Sequence, residues 1–367
     1  MKKTIKNILL VSLPTIGMMV LVLELVIFRY FLPACEWPAY RFDPAHQLLR
    51  IDAEGPRQGV HTKGKWASYP ATWQVNDQGW ISEITYDTLR HPRRIAIIGD
   101  SFVEACQVTT HDAFPSQLHQ FLEDSIAVYG FGISNSNLAN YLHLADYATQ
   151  QYNPELMVIN IFYNDFSQSI DRYVKNGKQS VFWTFKQLAD GSFREQAPSG
   201  ASIHNRKSFK KWLSKTAIFR YLKFNLRIKS WNKKKKLEGK TLAYEGNIQL
   251  NKTPEQVAAI KQVTHHIIKE FKVRFPNRRL LFLMDAPRKH IYTNTLEQSK
   301  ISWLNQLVAE ACTKQGFEFI DLTPYFLADY AEHQRKMEFA EDNHWNAYGH
   351  RVVAETLYDY LQTYPHR

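Results

Sequence analysis

One stretch of the sequence decides the fold: RIAIIGDSFVE, residues 94–104. The four apolar residues 95–98 fit a strand that is buried on both faces, and Gly99 permits a sharp turn where that strand ends. Ser101 then stands at the carboxyl edge of a parallel sheet, where open α/β sheets bind their ligands. A helix that begins there would aim its amide N–H groups at a developing oxyanion. Taken alone, the triplet also fits an ordinary turn with a serine that caps the helix.

Composition excludes several classes of protein. With 44% hydrophobic and 14% aromatic residues, the chain of 367 residues can bury a large core, which excludes a disordered protein. Its three cysteines, Cys35, Cys106 and Cys312, are too few and too scattered for a disulfide framework or a metal site. The chain is therefore expected to fold around an apolar core.

The amino terminus predicts a membrane anchor. Three lysines within the first six residues precede a largely apolar run at residues 8–28, which is about long enough to cross a hydrocarbon core. By the positive-inside rule the lysines stay in the cytoplasm, and the rest of the chain lies on the extracytoplasmic side. Glu24 is unusual in such a helix and is expected near the outer interface or against a partner. A cleaved signal peptide is the alternative, because LPAC at residues 32–35 resembles a lipoprotein cleavage box.

The remainder of the chain divides into a lead-in and an α/β domain. Residues 32–92 show no sustained period and predict an irregular lead-in, with a short hairpin at residues 73–80. From residue 93 to residue 367, strand-like and helix-like segments alternate, which predicts a mainly parallel sheet. The predicted strands lie at residues 95–98, 125–131, 156–162, 279–284 and 317–320, and the predicted helices at residues 114–123, 135–150, 253–274, 296–315 and 348–363.

A basic insertion interrupts this alternation at residues 167–251. Within it, residues 206–240 hold fourteen Lys or Arg residues and one acid, Glu238, so the rest of the chain is close to neutral. Apolar and aromatic residues are interleaved with the charges. This pattern fits a surface that lies on an anionic membrane and also a solvated helical hairpin over the site, and one insertion can be both. An exported location argues against nucleic acid as the partner.

Side chains able to carry chemistry stand at four places along the predicted domain. A nucleophilic Ser101 needs a base, a group that orients this base, and donors for an oxyanion. Asp342 and His344 offer the acid and the base in a loop just ahead of the last helix. Asn164 follows the third strand, and the loop at residues 130–135 follows the second, so both can present donors at the same sheet edge. Taken alone, the segment with Asp342 and His344 also fits a solvated acidic loop with a structural histidine.

These motifs resemble the sequence blocks of the SGNH (GDSL-type) hydrolase superfamily. Ser101 within Gly-Asp-Ser matches the first block, Asn164 followed by Asp165 the third, and Asp342 with His344 the last, in the family's order. The resemblance extends from about residue 93 to the carboxyl terminus, apart from the insertion. It implies a flavodoxin-like three-layer α/β/α sandwich with about five mainly parallel strands. It also implies ester hydrolysis or acyl transfer through an acyl-serine, without a metal or an organic cofactor.

The oxyanion hole departs from the family's pattern. Asn135 stands where the second block usually has a glycine, with Gly132 three residues earlier. The resemblance implies the Ser101 and Asn135 amides and the Asn164 side chain as the donors. Phe162 stands where the third block commonly begins with glycine, which is expected to narrow the pocket.

The last block also departs from the pattern. Asp342 precedes the histidine by two residues rather than three. Glu341 precedes it by three and is an alternative acid. His344 is followed by Trp345. This His-Trp motif resembles that of family variants acting on exopolysaccharide and other cell-surface glycans, including O-acetyltransferases. His350 is expected to pack in the final helix.

The sequence therefore predicts a membrane-anchored, exported serine esterase that removes O-acyl groups, acetyl first among them, from a surface polysaccharide. In this interpretation residues 1–31 are the anchor, residues 32–92 the lead-in and residues 93–367 the hydrolase domain. Three alternatives stay open: an O-acetyltransferase that works with a membrane acyl-donor protein, a lipid esterase held at the bilayer, and a non-catalytic glycan-binding assembly factor.

Overall fold

A five-stranded parallel sheet forms the centre of the protein. The computed structural model describes residues 2–52, 54–123, 125–173, 181–198, 213–228, 248, 250–340 and 342–363. The strands are β1 Tyr40–Asp43, β2 Leu48–Ile51, β3 Gln58–Lys63, β4 Ser68–Gln74, β5 Arg94–Gly99, β6 Ala127–Gly132, β7 Leu156–Ile161, β8 Thr184–Gln187, β9 Phe193–Gln196, β10 Arg279–Met284 and β11 Glu318–Asp321. The α-helices are α1 Lys2–Val22, α2 Ser101–Glu104, α3 Phe114–Phe121, α4 Leu138–Tyr152, α5 Asp165–Gln168, α6 Ala217–Arg220, α7 Pro254–Arg274, α8 Arg288–Tyr292, α9 Trp303–Gln315, α10 Thr323–His333 and α11 Ala347–Thr363.

The order of the sheet strands is that of the flavodoxin-like folds. The strands lie as β11-β10-β7-β5-β6, and every neighbouring pair is parallel. Numbered along the chain this is the order 2-1-3-4-5. Right-handed crossovers place α3 on one face and α4, α7 and α9 on the other. Helix α3 packs against α11, and α7 packs against both α4 and α9. All residues of β5, β6 and β7 are buried, so the predicted α/β sandwich is confirmed.

Two predicted helices begin later than the sequence indicated. The helix predicted at residues 135–150 begins at Leu138, because the Asn137 side chain caps it by accepting the Asn140 amide N–H. The helix predicted at residues 296–315 begins only at Trp303, after a separate short turn at Leu296–Gln298. Helix α10 was not predicted at all. Because only Phe326 of α10 is buried, its sequence carries little apolar periodicity.

Two short antiparallel pairs precede the sheet, in the region where the sequence showed no period. Strand β1 pairs with β2, and β3 pairs with β4. At the hairpin predicted over residues 73–80, a turn is present and Gly79 has φ of +80°. The residues around this turn form a single bridge, between Val75 and Ile81. Buried Trp73 and Trp80 fix this part of the lead-in to the core.

Near the amino terminus, one helix of the described residues is long and apolar enough to cross a membrane. It spans Leu9–Phe31, which is 23 residues, and an 18-residue window within it has a mean hydropathy of 2.3. The partner expected for Glu24 comes from the insertion. The Glu24 carboxylate accepts the amide N–H groups of Ala217 at 2.8 Å and Ile218 at 2.9 Å, at the start of α6.

The described part of the basic insertion, residues 213–228, lies against the end of this apolar helix. The ring of Phe28 stacks on Tyr221 with the centroids 4.1 Å apart. The Asn225 side chain accepts the Cys35 amide N–H at 2.9 Å and donates to Thr62 Oγ1 at 2.9 Å. The insertion thus ties the end of the apolar helix to strand β3. The other residues of the predicted basic stretch 206–240 lie outside the described residues.

Helix α2 lies so close to β6 that only glycine fits between them. A Cβ at Gly132 would lie 2.1 Å from the Glu104 nitrogen and 2.5 Å from the Val103 carbonyl carbon, both of them backbone atoms. At Gly130, in the same strand, a Cβ would meet its nearest atom at 3.5 Å, on Pro115. The two glycines form a matched pair for testing this contact.

Gly132→Ala is expected to destabilise the fold by about 1–3 kcal/mol, because α2 must move away from β6. Gly130→Ala is expected to be close to neutral. The free energy of unfolding of the full chain in detergent, measured with a chemical denaturant, tests both variants. Equal stability of the two variants would contradict the close contact.

Candidate active site

The turn after β5 places Ser101 at the carboxyl edge of the sheet. A Cβ at Gly99 would lie 2.5 Å from Val103 Cγ2, so α2 packs this closely on the end of β5 only with glycine there. Helix α2 begins at Ser101 as expected, but it is a single turn long. The capping side chain is Asp100 rather than the serine, since Asp100 Oδ1 accepts the Phe102 amide N–H at 2.9 Å. Burial raises the pKa of Asp100 to about 6.

Hydrogen bonds connect Ser101 to the two candidate residues near the carboxyl terminus. The Nε2 atom of His344 lies 2.8 Å from Ser101 Oγ. The Nδ1 atom of the same imidazole lies 2.5 Å from Asp342 Oδ1. Asp342 Oδ1 also accepts the His344 amide N–H at 3.1 Å, which makes the two-residue spacing between acid and base workable. Glu341, the alternative acid, lies outside the described residues.

The Asp342 carboxylate also has a cationic neighbour from the lead-in. Its Oδ2 atom accepts a hydrogen bond from the ammonium group of Lys63, at the end of β3. Burial alone would raise the pKa of Asp342, but His344 and Lys63 hold it well below its ordinary value. The carboxylate is therefore ionised throughout the neutral range.

A buried ion pair fixes the loop that carries Asp342 and His344. Arg288 is fully buried and donates to Asp285 Oδ2 at 3.1 Å and to the Asn343 carbonyl at 2.6 Å. The indole N–H of Trp345 donates to Asp285 Oδ1 at 3.0 Å. Since the residues on both sides of His344 are held in this way, the imidazole has little freedom to leave Ser101.

The candidate oxyanion residues come from the two strands that flank β5. Asn135 follows β6 and has φ of +64°, a left-handed conformation that asparagine tolerates better than most residues. Asn164 follows β7 and is half-buried, and its side-chain oxygen Oδ1 has no hydrogen-bond partner among the described residues. Within the same part of the chain, no hydrogen bond links either residue to Ser101. The structure therefore joins Ser101, His344 and Asp342 and leaves the two asparagines beside them.

Asp165, next to Asn164, shapes the turn after β7. Its Oδ2 atom accepts the Phe162 amide N–H at 2.8 Å and the Tyr141 hydroxyl at 2.9 Å. Burial and the nearby Asp100 raise the pKa of Asp165 well above its ordinary value. Phe162 is itself buried, and its ring lies 4.4 Å from that of Phe102.

A buried glutamate holds the loop that leads to Asn135. Glu104 Oε2 accepts hydrogen bonds from the amide and the hydroxyl of Ser134, and Oε1 accepts one from the Tyr40 hydroxyl at 2.7 Å. Burial raises the pKa of Glu104 to about 7. Glu104 therefore joins α2, the loop after β6 and the lead-in at one buried carboxyl group.

Sequence reasoning missed the charged residues that support the site: Lys63, Glu104, Asp285 and Arg288. Glu104 carried a weak signal, because it is an acid that directly follows the apolar pair in SFVE. His350 packs in α11 as expected, where its Nδ1 atom accepts the Phe114 amide N–H at 3.2 Å. Among the residues described, no three His, Cys, Asp or Glu side chains are grouped as metal ligands.

Comparisons with known proteins find loose structural likenesses. No protein-family model and no curated protein matches the chain. LAE5, an alpha/beta hydrolase enzyme from the metagenome of Lake Arreo, Spain, is 13% identical, with a TM-score of 0.39, over 73% of this chain and 94% of its own. The acetyl xylan esterase AlAXEase is 14% identical, with a TM-score of 0.39, over 73% and 99%. A catalytic mutant of Axe2, an acetylxylan esterase from Geobacillus stearothermophilus, is 11% identical, with a TM-score of 0.39, over 75% and 95%. Likenesses this loose carry no argument about activity, which depends on the site itself.

Glu104 gives the site a pH dependence of stability. Its pKa rises from 4.5 to about 7 on folding, so the folded chain binds this proton more tightly than the unfolded chain. The stability that Glu104 contributes is therefore complete below about pH 4.5 and is lost as the pH rises toward 7. The loss is on the order of 3 kcal/mol.

Glu104→Gln is expected to remove this part of the pH dependence, because glutamine keeps an acceptor for Ser134 and does not ionise. Denaturant unfolding of both proteins, at intervals from about pH 5 to about pH 8, measures the difference. Glu332→Gln, at an exposed position of α10, is the control and is expected to leave the wild-type profile unchanged. Parallel profiles for wild type and Glu104→Gln would show that this carboxyl group does not titrate as described.

Proposed function

We propose that the protein is a serine esterase of the SGNH type that removes acetyl groups from a polysaccharide outside a membrane. The observation that carries the proposal is the pair of hydrogen bonds from Ser101 through His344 to Asp342. A hydroxyl 2.8 Å from an imidazole whose other nitrogen faces a carboxylate has the geometry of an activated nucleophile.

In the proposed reaction, His344 takes the Ser101 proton on Nε2 as Oγ attacks the ester carbonyl carbon. Asp342 keeps the proton on Nδ1 of the imidazole and stabilises the imidazolium that forms. When the tetrahedral intermediate collapses, the carbon–oxygen bond to the sugar breaks and His344 gives its proton to the departing oxygen. A water molecule, deprotonated by the same imidazole, then attacks the acyl carbon. The bond to Ser101 Oγ breaks, His344 returns the proton to Oγ, and acetate leaves. These steps use no metal and no organic cofactor.

For the oxyanion we propose the amide N–H groups of Ser101 and Asn135 and the side chain of Asn164. Their position supports this assignment, because they follow three adjacent strands of the sheet.

Aromatic packing favours a short acyl group. The ring of Phe102 lies 4.4 Å from Phe162 and 5.1 Å from the imidazole of His344, and both phenylalanines are buried. The Phe102 ring therefore packs against the imidazole and is itself backed by Phe162, and we take this packing to suit acetyl better than a long chain. The choice of a polysaccharide rests on the pairing of His344 with Trp345 and on the exported location that the apolar amino-terminal helix suggests.

A polysaccharide O-acetyltransferase is the second candidate, favoured by the position of the site beside the apolar helix. Lys63 contacts Asp342, and Thr62 is hydrogen-bonded to Asn225, which in turn holds the backbone of Cys35 just beyond Phe31. These contacts link the Asp342 side of the site to the end of the apolar helix, where a membrane protein that supplies acetyl groups would lie. We further propose that the basic insertion contacts anionic lipid headgroups at this side of the molecule.

Ser101→Ala is expected to abolish release of 4-nitrophenol from 4-nitrophenyl acetate by the full chain in detergent, because no other group replaces Oγ. Asn164→Ala is expected to lower kcat roughly 100- to 1000-fold through loss of an oxyanion donor. Ser116→Ala, at a half-buried serine of α3, is the control and should keep wild-type activity. Activity near wild type in Ser101→Ala would overturn the proposal.

The same assay separates the candidate functions when longer esters and an oligosaccharide acceptor are included. Serine-dependent release that prefers acetate and ignores the acceptor indicates an esterase. Release that rises with the acceptor and leaves acetate on the sugar indicates a transferase, and a preference for long chains indicates a lipid esterase. Absence of serine-dependent turnover, with the protein in lipid bilayers as well as in detergent, indicates a glycan-binding factor.

A further inference from the structure

We infer that Lys63 is a positioning residue of this site: its ammonium group holds Asp342 and sets the pH range over which His344 can act as a base. The inference rests on the proposed function. It extends the site beyond residues 93–367, because Lys63 belongs to the lead-in.

The two oxygens of Asp342 have separate partners. Oδ1 faces the imidazole, with Nδ1 of His344 at 2.5 Å and the His344 amide nitrogen at 3.1 Å. Oδ2 accepts from the Lys63 ammonium group. A carboxylate held at both oxygens cannot rotate, so Lys63 helps to fix the oxygen that orients the imidazole.

Burial indicates that this contact is more than a surface ion pair. The Lys63 side chain is 6% exposed and the Asp342 side chain 15%. A lysine this deeply buried costs free energy unless a partner offsets the loss of hydration. The Lys63 ammonium group also lies 4.2 Å from the centroid of the Phe339 ring, in the same loop as Asp342.

The charge of Lys63 acts on protonation of the Asp342–His344 pair. A cation beside the carboxylate disfavours protonation of the Asp342–His344 pair. The base therefore stays available at lower pH. Burial lowers the pKa of Lys63, and Asp342 opposes this shift. Other titratable or charged groups that face Lys63 or the pair are His61, Cys35, Arg227, Asp100 and His350.

A purely structural role for Lys63 and a positioning role lead to different expected results. If the role is only structural, substituting Lys63 changes the amount of folded protein, and the labelling rate falls by the same factor at every pH. A residue that acts through its charge moves the acidic limb of the pH–rate profile. Removal of the cation makes proton uptake by the pair easier, so the limb moves to higher pH.

The experiment measures how fast a fluorophosphonate probe labels the full chain in detergent across the pH range. In this reaction Ser101 Oγ forms a bond to phosphorus, fluoride leaves, and His344 takes the serine proton, so no natural substrate is needed. Lys63→Met and Lys63→Gln remove the charge, and glutamine keeps a hydrogen-bond donor. Lys63→Arg keeps the charge. Lys65→Met, in the turn after β3, is the matched control, since the Lys65 ammonium group lies over the Trp66 ring instead.

The acidic limb is expected to move up by about one pH unit in Lys63→Met and Lys63→Gln. It is expected to stay near its wild-type position in Lys63→Arg and Lys65→Met. One pH unit below the wild-type midpoint, the neutral variants then label up to about tenfold more slowly than wild type at equal folded protein. Thermal unfolding of each variant gives the folded fraction.

An unshifted limb in a folded neutral variant, or an equal shift in Lys65→Met, would overturn the role of Lys63. Failure of the proposed function looks different. In that case wild type is not labelled faster than Ser101→Ala at any pH, and the Lys63 variants are not the cause. If neither neutral variant folds while Lys63→Arg does, the role of Lys63 is purely structural and the inference is wrong.

Discussion

The close contact of helix α2 with strands β5 and β6 is the constraint on which the rest of the structure depends. Glycine at position 99 lets the Val103 side chain of α2 pack directly on the end of β5, and glycine at position 132 lets the backbone of α2 lie directly on β6. This contact lifts Ser101 above the sheet and brings the ends of β6 and β7 to either side of it. It also buries Glu104 beside Ser134, so the nucleophile and the neighbouring loop are fixed by the same turn.

Around that turn the supporting charges are buried and come from distant parts of the chain. Lys63 reaches the site from the lead-in, and Arg288 reaches it from the turn after β10. Each is paired with a carboxylate, as buried charges must be. Removing one partner would leave the other charge buried and unpaired, which costs more than the pair contributes. The arrangement orients Asp342 and His344 at the cost of some stability, as active sites commonly do.

Much of the fold and of the candidate site could be predicted because the sequence marks them locally. The apolar runs at residues 95–98 and 280–284 identify buried strands, and the serine, the aspartate and the histidine stand in recognisable motifs. Lys63 and Arg288 could not be found in this way, because a single charged residue without a spacing pattern does not show which distant group it meets. The late start of α4 depends on one capping side chain, Asn137. The pattern of apolar residues does not show where such a cap starts the helix.

The most direct test of the account is to stop the reaction with 4-nitrophenyl acetate by rapid acid quench and locate the acetyl group by mass spectrometry of peptides. The account predicts an acetyl group on the peptide that contains Ser101, formed as fast as the first turnover and absent from Ser101→Ala. Turnover in which Ser101 stays unmodified at every time, or in which another residue carries the acetyl group, would contradict an acyl-serine intermediate and with it the proposed function.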